Sequence, residues 1–285
     1  MPVPTEPDLN DEELGARNTF HIIITKENLE SGEIPSNAWH WEFGKKFNQQ
    51  LYPNQIPANV TRITFGREYN KPILEGVIPN TVTDIQFGMD FNLPLDNIHL
   101  PVSIKRLVFG NLFNQPIPPS SLPSNLTYLS FGMNFNQPLA VGSLPSSLKH
   151  LSFGHEFNKP LDLGVLSNNM HTLIFGTKFN QPLAVDVIPR SVSKLELGWN
   201  YSQPFHDTNI PPTIETLKLH QDYFQNNWRL LPRSLSIILS MFYHDYCIRV
   251  FSDNSILALT ESLTGGFITG NQADNLEQFY KSQTL

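Results

Sequence analysis

The stretch Phe131-Gly132-Met133-Asn134-Phe135-Asn136-Gln137-Pro138-Leu139 decides the fold, because versions of it recur along most of the chain at a spacing of 22 residues. The Phe-Gly pair occupies seven registers and then becomes Leu197-Gly198 and Leu219-His220. Nine registers at one spacing, without an insertion, are typical of a repeat array whose units stack on one another. The seven pairs begin at Phe43, Phe65, Phe87, Phe109, Phe131, Phe153 and Phe175.

The composition of each unit predicts short strands rather than helices. Most units carry two prolines, and each proline removes a backbone donor and favours extended geometry in the residue before it. The alternation in Leu129-x-Phe131 is a strand pattern, and the glycine that follows permits a sharp departure from the strand. A 22-residue unit cannot bury its own apolar side, so its strand must pair with the next at roughly 4.8 Å. We therefore predict a mainly β solenoid of about nine coils with parallel strands.

A second fixed position predicts an asparagine ladder. An aromatic residue stands four positions after each first Phe or Leu, and asparagine follows it in seven registers. Because turn backbone needs hydrogen-bond partners, we expect each side-chain amide to bond backbone groups of adjacent coils inside the turn. These residues are Asn48, Asn70, Asn92, Asn114, Asn136, Asn158 and Asn180.

The repeat unit resembles the FNIP repeat, a leucine-rich-repeat-like motif of social amoebae and of the giant viruses that infect amoebae. Phe135-Asn136-Gln137-Pro138-Leu139 and copies such as Tyr69-Asn70-Lys71-Pro72-Ile73 carry the resemblance, over roughly residues 34–232. Leu126-x-x-Leu129-x-Phe131 is also similar to the strand segment of leucine-rich repeats, although asparagine falls later here, and curvature and hand stay open. Many family members resemble F-box proteins that hold a target for a ubiquitin ligase. The resemblance therefore implies target recognition linked to ubiquitin-dependent degradation.

The rest of the chain divides around the repeats. We predict a disordered acidic N-terminus at 1–15, an N-terminal cap at 16–42, the solenoid at 43–232 and a partly helical C-terminal cap at 233–285. The run from Thr19 to Ile24 predicts a strand in the first cap, where no helical periodicity suits an F-box. In the second cap, helices are expected from Asp253 or Asn254 through Leu263 and over residues 273–282.

Charge and composition exclude several classes of function. The formal net charge is −7, with 19 basic and 26 acidic residues and no evident basic stripe, which argues against a nucleic-acid partner. The single cysteine fits a reducing compartment, and the N-terminus lacks signal-peptide features. No run of 18 apolar residues predicts a membrane span. We expect a cytoplasmic protein, in the host cytoplasm if it is viral.

Candidate catalytic and metal-binding groups are few. The nine histidines show no paired metal-ligand spacing. His150 and His155 flank one strand and Glu156 is adjacent in sequence, but a zinc site would need a third ligand of matching reach. Cys247 lies in an apolar run and is expected to be a small buried hydrophobe. The glycines match no phosphate-binding motif. We predict no enzyme activity, no cofactor and no metal.

What remains is a surface of side chains that vary from coil to coil and face solvent from the sheet. Aromatic, methionine and arginine side chains on such a face are typical of interface centres, so we assign partner binding to eight of them. Met89, Met133 and Trp199 are the most informative, because exposed apolar side chains among polar neighbours indicate a covering partner; packing on the adjacent loop is the alternative. The eight are Arg62, Arg67, Met89, Arg106, Tyr128, Met133, His155 and Trp199.

The sequence thus favours a non-catalytic protein-protein interaction scaffold, whose partner is a host protein or a ubiquitin-ligase component. The alternative is a self-assembling structural solenoid that stacks or pairs through its edges. A third, weaker interpretation is an enzyme with its site in the C-terminal region. Monodisperse behaviour in solution would argue against the self-assembling solenoid.

Overall fold

The computed structural model describes residues 21–32, 34–204, 209–227, 229, 231, 236–240, 245–250, 256–260 and 265–274. Within these ranges, fourteen strands form one sheet whose spatial order follows the chain. The strands are β1 (His21–Ile24), β2 (His40–Phe43), β3 (Arg62–Thr64), β4 (Asp84–Gln86), β5 (Arg106–Val108), β6 (Tyr128–Ser130), β7 (His150–Ser152), β8 (Thr172–Ile174), β9 (Lys194–Glu196), β10 (Thr216–His220), β11 (Ser236–Ser240), β12 (Asp245–Val250), β13 (Ile256–Thr260) and β14 (Gly265–Ile268). The helices are α1 (Lys26–Ser31), α2 (Gln221–Asn227) and α3 (Gly270–Ala273), with a 3-10 turn at Leu95–Asn97.

Strands β2 to β10 form the predicted parallel solenoid, which the structure confirms. Neighbours pair in register one repeat apart, as Tyr128 opposite His150 and Leu129 opposite Leu151. In each three-residue strand the central residue is buried and its two neighbours are partly or fully exposed, which is the alternation expected of a half-buried strand. One face of the sheet therefore lies on the core and the other faces solvent.

Two stacks of aromatic rings fill the core behind the sheet. The Phe of each Phe-Gly pair stacks on the next at 5.2–5.8 Å between ring centroids. The second aromatics stack at 6.0–6.5 Å as far as Tyr201. Strands in a sheet are about 4.8 Å apart, so the distance between coils grows from the sheet outward through the two stacks. The array is therefore curved, with the exposed sheet face on its concave side.

From Gly66 onward, the glycine of each Phe-Gly pair is required by contact between coils. A Cβ built on Gly132 would lie 2.0 Å from the carbonyl oxygen of Gly110, and the same atom at Gly154 would lie 1.8 Å from that of Gly132. No side chain fits at such distances. The glycine thus allows the turns of adjacent coils to approach. This steric requirement for a residue without a Cβ is stricter than the sharp departure from the strand that we expected glycine to permit.

The N-terminal strand and a short helix extend the array by one element. Strand β1, predicted from the run Thr19 to Ile24, pairs in parallel with β2. Helix α1 was not predicted; Thr25 caps it through its side chain, which accepts from the backbone N–H of Asn28, and Gly32 ends it at φ 71°. The predicted disorder at 1–15 lies outside the described residues.

Beyond β10 the connection changes. Helix α2 follows β10 directly, β11 pairs with β10 in parallel, and β12 to β14 continue the sheet in antiparallel fashion. The helix predicted through residue 263 is wrong over Ile256–Thr260, which is strand β13; the apolar residues Ile256 and Ala258 alternate into the core with period two. Cys247 on β12 is exposed, which corrects its expected burial. The helix predicted over 273–282 lies almost wholly outside the described residues.

A search of the described residues for membrane-spanning helices finds none with enough length and apolar character to cross a bilayer.

Candidate functional site

Three rows of side chains define the concave face. The outer row stands three residues before each first Phe or Leu and includes Arg62, Arg106, Tyr128 and His150; the middle row stands one residue before and includes Ser130. The turn row stands two residues after and includes Lys45, Arg67, Met89, Asn111, Met133, His155, Thr177 and Trp199. Strand geometry directs the outer and middle rows to solvent, and the turn row follows the glycine.

An open groove of about 790 Å³ runs along the face between the middle and turn rows. Its floor lies over the Phe-Gly pairs from Phe65 to Gly198. The Phe rings of these pairs point into the core and the glycines have no side chain, so a strip without side chains lies between two rows that have them. The groove therefore follows from the same glycines that let the coils approach.

The turn row forms one wall of the groove and carries exposed apolar side chains. Met89, Met133 and Trp199 are 38%, 51% and 36% exposed, and the Trp199 ring lies 3.7 Å from the ring of His220. The backbone beneath this wall is fixed, because in each coil the N–H after the turn-row residue donates to the carbonyl of the preceding turn-row residue, as from Asn134 to Asn111 at 2.9 Å. Because this backbone is already ordered, little conformational entropy is lost there when a partner binds.

The structure places the eight sequence-assigned residues on two parallel lines. Arg67, Met89, Met133, His155 and Trp199 line the groove. The remaining three, Arg62, Arg106 and Tyr128, lie in the outer row on β3, β5 and β6, beyond the middle row. All eight belong to the concave face, but they do not form one pocket.

The centre of the outer row contains a stacked group of three side chains. The guanidinium carbon of Arg106 lies 4.7 Å from the centre of the Tyr128 ring, a cation–π distance. Tyr128 in turn stacks on His150 with centroids 4.2 Å apart and planes 5° apart. Nη1 of Arg106 is buried and has no acceptor among the described residues. The stack therefore holds an arginine whose hydrogen-bonding capacity is not fully used.

Two histidines of the outer row are neutral at physiological pH. Burial, with the charges of Lys194 and Arg106, lowers the pKa of His150 to about 4. Burial, with the charges of Arg62 and His21, lowers the pKa of His40 to about 4 as well. Both imidazoles thus offer one donor and one acceptor rather than a charge.

The comparisons with known proteins assign the family. The FNIP Repeat family matches residues 27–68, 69–112, 113–156, 157–200 and 179–222, which together span most of the chain. The chain belongs to this family. Among solved structures, it is similar to CroV588 of a giant virus, described as a novel circular LRR protein, with TM-score 0.66 and 38% identity over 72% of this chain. Our chain spans 31% of the length of CroV588. No curated protein matches.

The asparagines of the FNIP units form a continuous series of hydrogen bonds. Oδ1 of each asparagine accepts the backbone N–H of the asparagine in the next coil, as from Asn136 to Asn114 at 2.9 Å and from Asn158 to Asn136 at 3.0 Å. The series continues to the N–H of Ser202. Asn136 is only half-buried, so these bonds lie nearer the surface than the buried turn we expected.

Sequence reasoning missed the glutamine that follows this asparagine in several FNIP units. Nε2 of Gln137 donates to the backbone carbonyl and to Oδ1 of Asn114 at 3.1 and 3.2 Å, and Gln115 repeats the pattern with Asn92. Gln203 does so with Asn180. Recurrence of Gln before Pro at this register was the available signal.

A further apolar ridge lies outside the groove, on the loops that connect successive FNIP coils. Val141, Leu163 and Val185 occupy one register position in three adjacent coils and are 63%, 67% and 52% exposed. The ridge was not singled out from the sequence, although its spacing of one repeat is visible there. Exposed apolar side chains are common on monomeric proteins, so the ridge offers a control surface outside the groove.

The two histidines considered for zinc show no third ligand. The Nε2 atom of His155 lies 3.6 Å from a carboxylate oxygen of Glu156, whose other oxygen accepts from Lys178 at 2.8 Å. That hydrogen bond from Lys178 lowers the pKa of the Glu156 carboxyl below its usual value. In the ranges that the structure describes, no three His, Cys, Asp or Glu side chains come close enough to hold a metal ion.

Proposed function

We propose that the chain is a protein-binding scaffold whose recognition surface is the groove of the concave face. The observation that carries this proposal is the pairing of a rigid, side-chain-free floor with the exposed Met89, Met133 and Trp199 along one wall. Methionine and tryptophan are enriched at the centres of protein interfaces, and arginine such as Arg67 is enriched at hot spots. The FNIP solenoid repeats this wall coil after coil, which suits an elongated partner segment.

The finer part of the proposal is a link to ubiquitin-dependent degradation. It rests on the family resemblance, in which many members resemble F-box proteins that hold a target for a ligase. In this proposal the groove holds the target, the partner is a host protein or a ligase component, and the scaffold acts in the cytoplasm without nucleic acid, membrane or cofactor. The asparagine series has a supporting role, in which it fixes the spacing of the coils behind the groove.

The test is capture of partners from amoebal lysate by the tagged full chain, read by mass spectrometry. The groove variant carries Arg67→Ala, Met133→Ala and Trp199→Ala. The control carries Val141→Ala, Leu163→Ala and Val185→Ala, which remove apolar side chains at least as exposed as those of Met133 and Trp199, outside the groove. A partner lost by the groove variant and kept by the control supports the proposal; ligase subunits among the captured proteins support its finer part.

The second candidate function is self-assembly of a structural solenoid, through the sheet edges. The exposed Phe267 on the terminal strand β14, at 70% exposure, is the observation that favours it. Sedimentation velocity across a hundredfold range of concentration distinguishes the two. A single monomeric species contradicts self-assembly, whereas a capture experiment that retains only the protein itself contradicts the scaffold.

A further inference from the structure

From β3 to β9 the outer row carries a basic or imidazole side chain on every second strand. Arg62 on β3, Arg106 on β5, His150 on β7 and Lys194 on β9 alternate with Asp84, Tyr128 and Thr172 on the strands between. Two strand spacings are about 9.6 Å. The row is thus a line of four hydrogen-bonding points at a regular interval of about 9.6 Å.

The concave face is positively charged on a chain that is negatively charged. Its three rows contain six lysines and arginines and three acidic residues, while the whole chain has a net charge of −7. The one acidic residue of the outer row, Asp84, is engaged locally, since its carboxylate accepts from the hydroxyl of Thr83 at 2.8 Å. The face therefore complements an acidic partner.

Arg106 provides the strongest single contact on this line. The central carbon of its guanidinium lies 4.7 Å from the centre of the Tyr128 ring, which holds the group over that ring. A guanidinium has five N–H donors in a planar fork that matches a carboxylate. A ligand carboxylate would bond the part of this guanidinium that is open to solvent, since the Arg106 side chain is only half-buried. Stacking has already fixed this side chain, so little rotamer entropy is lost on binding.

The interval between these points matches one conformation of an extended peptide. A polyproline II segment rises about 3.1 Å per residue with three residues per turn, so every third side chain points the same way at about 9.3 Å. A β-strand places side chains on one side every two residues, at about 6.7 Å, and would fall out of step after one interval. The interval of about 9.6 Å along the outer row therefore favours polyproline II geometry over a β-strand.

We propose that the outer row binds an extended partner segment of polyproline II geometry with acidic side chains at every third residue, its carboxylates over Arg62, Arg106, His150 and Lys194. This inference rests on the proposed function and names the chemical class of the partner. The neutral imidazole of His150, whose pKa burial lowers to about 4, donates a hydrogen bond to the carboxylate at the third point. The line along β3 to β9 takes about 10 residues of such a segment.

The experiment compares three fluorescein-labelled peptides of 12 residues with blocked ends, by fluorescence anisotropy at low salt. The first is four repeats of Glu-Pro-Ala, which spaces the carboxylates as proposed. The second has the same composition with its four glutamates adjacent in the middle. The third is four repeats of Gln-Pro-Ala. We expect the spaced peptide to bind the full chain about tenfold more tightly than the clustered one, and the Gln peptide not to bind.

Variants locate the contact. Arg106→Gln is expected to weaken the spaced peptide about tenfold and to leave the clustered peptide nearly unchanged. Arg190→Gln, on an exposed side chain near Asp186 and outside the face, is the matched control and is expected to change neither. If Arg106→Gln lowers the melting temperature, Lys194→Gln replaces it, because Lys194 is exposed at the far end of the line. This variant is likewise expected to weaken binding of the spaced peptide about tenfold and to leave binding of the clustered peptide nearly unchanged.

Equal affinity for the spaced and clustered peptides, no binding of either, or no effect of the variants would overturn this inference. So would equally tight, Arg106-dependent binding of a labelled single-stranded 12-mer DNA, since the site would then be a general polyanion site. Its failure is distinguishable from failure of the proposed function. A captured partner that still depends on the groove residues leaves the scaffold standing without the acidic segment.

Discussion

The regular coils and the segment that begins at β10 share one sheet but connect their strands differently. In the coils from β2 to β9 the chain leaves the sheet at a glycine, and from Gly66 onward a Cβ there would lie within 1.7–2.0 Å of the preceding carbonyl oxygen. At β10 the pair becomes Leu219-His220, the strand runs to five residues, and α2 follows. After β11 the sheet continues in antiparallel fashion.

This difference teaches what sustains the repeat. The second aromatic stack also loses its parallel geometry at this point, because the Tyr223 ring lies 5.6 Å from the Tyr201 ring with a tilt of 50°. Close approach of the turns requires a residue without a Cβ, and the first register with a side chain at this position is the last regular coil. The same requirement leaves the groove floor bare, so the repeat and the recognition surface have one cause.

The largest effect is expected from Gly132→Ala. Its Cβ would collide with the carbonyl of Gly110, so two coils must separate and lose their shared hydrogen bonds, at about 5 kcal/mol of stability. The control is Gly44→Ala at the N-terminal end of the series, where the nearest atom is 3.7 Å away and the change should stay within about 1 kcal/mol. Urea unfolding midpoints measure both. Equal losses would show that the glycines do not mediate contact between coils.

A second test compares two phenylalanines. Phe135 is fully buried in the second aromatic stack, so Phe135→Ala should destabilise the fold by about 4 kcal/mol. Phe267 on β14 is 70% exposed, and Phe267→Ala should change stability by less than about 0.5 kcal/mol. Thermal unfolding followed by circular dichroism measures the pair. A large loss from Phe267→Ala would mean that the antiparallel strands pack more tightly than their exposure indicates.

Acidification weakens the array more mildly. The folded pKa values of His40 and His150 are about 4, below the ordinary 6.5, so the unfolded chain binds more protons between these values. The contribution of each histidine to the free energy of unfolding is fully present above pH 6.5. It is lost as the pH falls toward 4, by about 1 kcal/mol for each histidine after allowance for partial exposure. The double variant His40→Gln with His150→Gln should flatten this part of the stability profile. An unchanged profile contradicts neutral burial.

The smallest effect is expected from Asn136→Ala. Loss of its side chain leaves the backbone N–H of Asn158 without its acceptor in the preceding coil, at about 1 kcal/mol because the site is half-buried. The exposed Asn168 provides the control, with Asn168→Ala expected within about 0.5 kcal/mol. Denaturant midpoints compare them. Identical midpoints for Asn136→Ala and the wild type would contradict a stabilising asparagine series.

The repeat spacing was enough to predict the parallel solenoid, because a residue pattern with period 22 admits one register between neighbouring strands. The spacing was not enough for the C-terminal part. There the sequence from Ile256 to Leu263 is compatible with a helix or a strand, and pairing with β12 determines that Ile256–Thr260 is a strand. Exposure of Met133 and Trp199 followed from the register, but the groove did not, since the contact between Gly110 and Gly132 depends on three-dimensional approach. The Arg106–Tyr128–His150 stack was likewise invisible until curvature and rotamers were known.

Limited oxidation of methionine tests the central claim most directly, because the array places methionines on both sides of the sheet. Met133 and Met89 lie on the groove wall at 51% and 38% exposure, whereas Met170 is fully buried in the core. After brief treatment with hydrogen peroxide, peptide mass spectrometry should show both groove methionines converted to sulfoxide while Met170 stays reduced until the protein unfolds. Oxidation of Met170 in the folded protein at the rate of Met133 would contradict the register of the coils, and with it the groove.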